Sequence, residues 1–417
     1  MPTPLNKKKL SGFTQLLLAT AIAGVAGYVI TWLVPRQVGF SAYASFAIFW
    51  SLLFFIVSAL SGIQQEVTRA TRPRTDQTLR ARHQSVAFGA GTAVITFAVI
   101  VATAPAWVNT VFPINSWQLV WPLAAGAASY VLVAVLGGSL YGVSQWSALF
   151  WLICVEATLR FVAIAVALIF TSDIVALAWT IAAPYTLTLL VLWPRMTRSL
   201  AGKSELDVSL YRLCGNISRT IVAAASMGLM VSGFPFVLGL ASVGEPAALL
   251  GLLILAVTLT RAPLIVVMMA LQSYLIIHFR DLGDAVGARV FKIIGLLGAL
   301  AVALALVGWW LGPVVFEFLF PGELVPEGWL LAVLVASSAL MGALCVTSPA
   351  LLASSRHTVY SVGWLLAAAT TVVCLLLPLD LVAKTVLSLL AGPISGLLVH
   401  GSYLAIARRQ SGVLSQS

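Results

Sequence analysis

The chain reads as a succession of long apolar runs parted by short polar connections. The runs fall at roughly 11–34, 40–63, 85–108, 117–141, 147–170 and 174–193, then 213–241, 247–271, 291–316, 328–353, 358–377 and 381–406. About 20 apolar residues in a helix cross the hydrocarbon core of a bilayer, so this pattern predicts twelve transmembrane helices. Pro184, Pro263, Gly392 and Pro393 fall inside runs. Membrane helices tolerate such residues where neighbours satisfy the freed carbonyls.

Composition sharpens the pattern. Of 417 residues 61% are hydrophobic and only 9% charged, and the mean hydropathy is +1.04. A soluble domain carries roughly 25% charged residues, so a soluble globular enzyme is excluded. The basic Lys7–Lys9 stretch before the first run resembles the start of a cleaved signal peptide. That run is about 24 residues long and a second follows at once, so an uncleaved first helix is expected.

The net charge of +10 would suggest nucleic acid in a soluble chain, but here its distribution argues otherwise. One set of connections holds Lys7–Lys9, Arg69, Arg72, Arg74, Arg80, Arg82, Arg195, Arg198, Lys203, Arg212, Arg219, Arg280, Arg289, Lys292, Arg356, Arg408 and Arg409. The opposite set has Arg36 and Lys384, with Asp173, Glu245, Glu317, Glu323, Glu327 and Asp380. By the positive-inside rule both termini are expected in the cytoplasm. Cys154, Cys214, Cys345 and Cys374 are widely spaced. They suggest neither a disulfide framework nor a metal site.

The longest internal polar stretch, about 194–212, leaves six runs on each side. An even number returns the chain to its starting side, so both halves have one orientation. The expected fold is all-α and polytopic, with two six-helix lobes, 1–200 and 201–417, related by a parallel pseudo-two-fold axis. Each half opens with small residues (Ala21, Ala23, Gly24, Gly27; Ala223, Ala224, Ala225, Gly228), which favour close helix packing.

Catalytic signatures are lacking: there is no HExxH, GxSxG or P-loop. His83, His278, His357 and His400 all fall near expected cytoplasmic boundaries, so no metal centre is expected. Transport remains, and for transport the costly residues are charges inside spans. Glu156 and Arg160 lie four apart in CVEATLRF, on one helix face with the acid first. Arg261 lies in TLTRAPL, just before Pro263. Guanidinium matches phosphate oxygens bidentately and stays charged in low dielectric, so Arg160 and Arg261 are candidate anion-binding residues. Glu156 would position Arg160 or exchange a proton with it. The alternative is a structural Glu156–Arg160 pair, with Arg261 satisfied by backbone carbonyls at a kink.

Arg219, near Asn216 and Ser218, is a further candidate for an anionic headgroup, or a snorkelling interface residue. Gln64, Gln65, Glu66 and Arg69 end the second span, as a gate or as a solvated helix end. Arg36 is an expected outer anchor. Gln272 and His278 lie on what reads as an interfacial amphipathic helix. Most of the thirteen Trp fit belt positions.

The layout and three strings, GFTQLLLATAIAGVAGYVITWLVPRQVG, SGIQQEVTRATR and LLILAVTLTRAPLIVVMMALQSYL, resemble polysaccharide (Wzx-type) flippases. These belong to the multidrug/oligosaccharidyl-lipid/polysaccharide (MOP) exporter superfamily. The resemblance implies two lobes around a cationic cavity and alternating access. It also implies a polyprenyl-diphosphate-linked oligosaccharide as cargo, moved to the outer leaflet for cell-surface polysaccharide synthesis. Arg160 and Arg261 fit the cavity-lining cations so implied. The partners implied are the lipid-linked glycan, membrane lipids, an H+ or Na+ ion and glycan-assembly proteins, without nucleic acid or cofactor. Drug-exporting relatives often carry an acid in the first helix, and residues 11–34 contain none. A multidrug exporter and a major-facilitator-type transporter are the alternatives. The second usually carries a GxxxDRxGRR-like loop, where this chain has RATRPRTDQTLRAR.

Overall fold

The computed structural model describes residues 7–73, 80–200, 204–206, 210–282, 286–354 and 356–414. The chain divides into two compact units, one of residues 1–37 and 45–228, the other of 38–44 and 229–417. The sequence had suggested a line at 200/201. Ten helices among the described residues are long and apolar enough to cross a membrane, and Ala247–Arg261 is a further, shorter apolar stretch. One of the ten, Thr14–Ala70, has 57 residues. At 1.5 Å per residue that is about 85 Å, room for two crossings. The all-helical fold of about twelve spans is thus as expected.

The first unit contains α1 (Lys7–Ala70) apart from its residues 38–44, α2 (Arg80–Val111), α3 (Ser116–Gly142), α4 (Trp146–Phe170), α5 (Ile174–Leu200) and α6 (Leu210–Gly228). The first two expected spans form one continuous helical run. Its break is at Gly39, with φ 77° and ψ 163°, a conformation open essentially to glycine alone. A small antiparallel ribbon pairs β1 (Thr71–Pro73) with β2 (Ser204–Leu206). It ties together the two connections at the basic ends of α1 and α5.

Within this unit α6 packs on the C-terminal part of α1 because Gly62 presents no side chain. A Cβ there would stand 2.8 Å from the Ile221 backbone nitrogen. Leu213 and Ile217 of α6 join Ile63, Val67, Val131 and Ala134 in one apolar cluster. That packing explains why residues 201–228 group with the first unit.

The seventh expected span, 213–241, is not one regular helix. After α6 comes a π-helical turn, Leu229–Gly233, and then α7 (Phe234–Leu240). Pro235 has no N–H to return to the preceding turn, and a widened turn is one way to absorb that loss. The second unit continues with α8 (Ala247–Leu282), α9 (Val286–Leu319), α10 (Gly328–Ala353), α11 (His357–Leu375) and α12 (Leu381–Leu414). Every residue of α10 from Met341 to Leu351 is buried, so this helix is covered all round and forms the centre of the unit. Most of α9, by contrast, is exposed, including Trp309 and Trp310, as suits a lipid-facing span.

Many hydroxyl groups inside the spans are satisfied locally, although the buried Thr188 hydroxyl of the Ile174–Met196 span has no partner among the described residues. Thr31, Thr258, Thr260, Ser338 and Thr385 all donate to carbonyls one turn back, the usual way to bury a hydroxyl in a membrane helix. The segment expected to be a separate interfacial helix around Gln272 and His278 is instead the continuation of α8. Leu275 and Phe279 are buried against Val290, Val346 and Leu404. That apolar face packs the segment against its neighbours within the unit.

Candidate functional site

Each unit buries one arginine deep in a span. Arg160 lies fourteen residues along α4 from Trp146, and Arg261 fourteen along α8 from Ala247. Each is therefore about 21 Å from the start of its helix. They are 8% and 5% exposed. Their surroundings differ.

Arg160 is held in a cage within the first unit. Its guanidinium donates to the Glu156 carboxylate one turn earlier. Its central carbon lies 4.9 Å from the ring centroid of Phe54 and 5.0 Å from that of Tyr185. The cation is thus flanked by π faces from α1 and α5, each worth roughly 0.5–1 kcal/mol or more when desolvated. Tyr185 is itself held edge-on by Tyr130 of α3, at 5.4 Å between centroids. One nitrogen, Nε, has no hydrogen-bond partner. The expected pair on one helix face is present. The aromatic walls had no signal in the sequence, because Phe54 and Tyr185 look like any apolar residues of their spans.

Arg261 has no comparable cage. Its Nε lacks a hydrogen-bond partner, and no carboxylate pairs with it among the described residues. The expectation that backbone carbonyls at a kink would satisfy it is not met at Nε, and α8 runs on through Pro263 as helix. A charge left in this state is costly in a membrane.

The other sequence candidates are dispersed. Glu66 accepts from Thr220 of α6 at 3.1 Å and pairs with Arg69 at 2.8 Å. Gln64 packs at the bare backbone of Gly137, where a Cβ would lie 3.4 Å from its Oε1. These residues bind α1 to its neighbours within the first unit. Arg36 is exposed and stacks on Trp32 at 5.3 Å. The side chains of Arg219 and Gln272 lie outside the described residues. Among the described residues no group of His, Cys, Asp and Glu is placed to hold a metal, and the four cysteines are free.

Lys384, counted from the sequence as one of two basic residues on the acidic side, is buried. Its ammonium donates to the Ala241 carbonyl that ends α7. It is therefore a helix cap and not a surface charge.

No protein-family model matches the chain. Relatives in mycobacteria do. Uncharacterized protein Rv3630 of Mycobacterium tuberculosis (strain H37Rv) is 32% identical over 401 residues, covering 94% of this chain and 90% of that protein. Uncharacterized protein Mb3654 of Mycobacterium bovis shows the same identity and coverage. The chain belongs to this mycobacterial family.

For the family's fold the solved structures speak. A multidrug resistance MATE family transporter of the MOP superfamily, in its inward-facing conformation, matches with a TM-score of 0.66. The identity is 14%, covering 95% of this chain and 96% of that one. The outward-facing conformation of such a transporter matches with a TM-score of 0.62 at 14% identity, over 97% of each chain. A MOP superfamily transporter from Pyrococcus furiosus matches at 0.58 and 13% identity, over 95% of this chain and 96% of that one. It is described as having a binding pocket of reverse polarity that suggests a different function. At such identities the likeness establishes architecture alone: this chain shares the fold of those proteins over nearly its whole length.

Proposed function

We propose that the protein is a flippase working by alternating access, which carries a polyprenyl-diphosphate-linked oligosaccharide from the cytoplasmic to the outer leaflet. The observation that carries this reading is Arg261, a buried cation in a membrane span with no carboxylate partner among the described residues. Such a group favours a ligand that brings negative charge. A diphosphate supplies oxygens in the geometry that guanidinium recognises. The MOP fold supports a transporter as the host of that site.

Arg160 is assigned the second cation. Its existing partner makes it a conditional one: a phosphate must compete with Glu156, or Glu156 must take up a proton and release it. The cargo needs such groups because a diphosphate and sugars do not cross about 30 Å of hydrocarbon unaided. The prenyl tail stays in lipid throughout. The expected orientation, with both termini in the cytoplasm, rests on the basic connections.

Export of drugs is the second reading, favoured by the multidrug transporters among the structural matches. The absence of any acid from residues 11–34 counts against a cation-binding first helix. One experiment separates the two. In a deletion strain the flippase reading expects lipid-linked glycan to accumulate facing the cytoplasm, with rescue by the wild-type chain but not by Arg261→Gln expressed to the same level. Full rescue by that variant would remove the binding role of Arg261. Unchanged glycan with altered drug tolerance would establish the exporter instead.

A further inference from the structure

The second unit contains a buried imidazole that nothing in the transport reading uses. His400 of α12 is 0% exposed. Its Nδ1 lies 2.8 Å from the Thr347 hydroxyl of α10, and its Nε2 lies 3.3 Å from the Tyr360 carbonyl oxygen of α11. The ring fits only because Gly363 of α11 has no side chain. A Cβ there would stand 2.2 Å from Nε2. Three helices thus build one slot around one ring.

The hydrogen-bond inventory of the slot favours two protonation states over a third. The Tyr360 carbonyl only accepts, so Nε2 must carry a hydrogen to face it. In the neutral ring Nδ1 then has a lone pair, and the Thr347 hydroxyl donates to it. In the charged ring Nδ1 also carries a hydrogen, and the Thr347 oxygen accepts. The Thr347 hydroxyl hydrogen then turns to the Leu344 carbonyl, 3.0 Å away, and shares that oxygen with the Ser348 hydroxyl at 2.8 Å. Adding a proton therefore needs only the rotation of one hydroxyl. No donor or acceptor is left orphaned in either state.

We infer that His400 is a proton-binding site, an imidazole that takes up and releases H+ with the Thr347 hydroxyl as its switch. The site lies near the basic end of the unit. Tyr360 is one turn inside the start of α11 at His357. One turn beyond His400, Tyr403 carries Arg356 on its ring at 5.4 Å.

Among the described side chains, the titratable and charged groups toward this end of the helices packed around it include Cys345 on α10, and Tyr360, His357 and Arg356 on or capping α11. Tyr403 lies on α12, Arg289 and Lys292 at the start of α9, and Arg261 and His278 on α8. Tyr360 stacks on the His400 ring at 6.5 Å between centroids. No carboxylate pairs with the ring among the described residues, so its charge is carried by hydroxyl and carbonyl oxygens alone. The inference goes beyond the flippase reading, because it assigns a proton-binding group outside the anion site whatever the cargo.

The test uses the full chain in lipid nanodiscs, labelled with 15N-histidine, with His83→Gln, His278→Gln and His357→Gln so that His400 is the sole imidazole. Ring-nitrogen NMR signals are followed from pH 8 to pH 5, the range over which histidine ordinarily changes charge. The expected result is conversion of both nitrogens to the N–H form within that range. Thr347→Ser retains the conversion, and Thr347→Val abolishes it. A ring that stays neutral down to pH 5 overturns the site, and a Thr347→Val protein that charges like the parent overturns the switch. No transported substrate enters the measurement, so an error about the cargo leaves its outcome untouched.

Discussion

Replacing Glu156 with Gln removes the negative member of the pair that Arg160 makes inside the first unit. Breaking one side of a buried ion pair costs about 3–5 kcal/mol, because the other charge stays buried. Three features reduce that here. The side chains retain 10% and 17% exposure, and Gln keeps an oxygen that accepts from the guanidinium. The faces of Phe54 and Tyr185 also remain, 4.9 and 5.0 Å away. The expected loss is therefore about 2–3 kcal/mol, at or below the low end of that range. Removing both charges, in Glu156→Gln with Arg160→Met, is expected to restore most of it, since a buried pair exchanged for apolar groups is often neutral. The assay is a double-mutant cycle on reversible unfolding in mixed detergent micelles. A coupling energy below about 0.5 kcal/mol, the usual scatter between independent sites, would falsify the caged-pair account.

Gly363→Ala is expected to destabilise by about 1–3 kcal/mol through overpacking against His400, although helix propensity alone favours Ala by about 1 kcal/mol. Adding His400→Ala to Gly363→Ala should reverse the sign, read from the same unfolding midpoints. Lys384→Met leaves the Ala241 carbonyl without its ammonium donor. Hydrogen exchange over residues 234–240 should then quicken by about fivefold, equivalent to about 1 kcal/mol for one lost bond, while α10 is unaffected. Gly39→Ala forces an L side chain into φ 77° and puts its Cβ 3.1 Å from Glu323 Oε1. A fall in unfolding free energy of about 1–3 kcal/mol is expected. An unchanged midpoint would mean that the break relaxes into ordinary helix.

Much of the architecture was legible because a bilayer limits the choices. A run of apolar residues long enough to cross must be helical, so the positions of α3, α4, α10 and the span parts of α5 and α12 follow from hydropathy alone. The same logic marked Glu156, Arg160 and Arg261, whose charges are conspicuous against apolar neighbours. It was silent on the break inside the seventh span, since the Gly233-Phe234-Pro235 string is ordinary in a membrane helix. It also set the first unit's boundary some 28 residues early, at 200 and not 228, because a polar stretch marks a connection and not a packing boundary. That the helix read as interfacial around Gln272 and His278 runs on from α8 was hidden for a related reason. An amphipathic face looks the same in sequence whether it meets lipid headgroups or, as Leu275 and Phe279 do, the side chains of α9 and α10.

By itself the sequence determined that this is a multi-pass helical membrane protein, which residues are charged within its spans, and where its basic connections lie. Those are properties of local composition, governed by the cost of placing polar groups in hydrocarbon. Only the tertiary structure decided which of those charges have partners. Arg160 received a carboxylate from its own helix and two aromatic walls from others, while Arg261 received none of these among the described residues. It also turned Lys384 from a surface charge into a cap, and His400 from a boundary residue into the occupant of a three-helix slot. Such assignments depend on groups up to 143 residues apart, as Lys384 and Ala241 are. No local pattern encodes them, because the energy of a buried charge is set by whichever distant atoms replace its water.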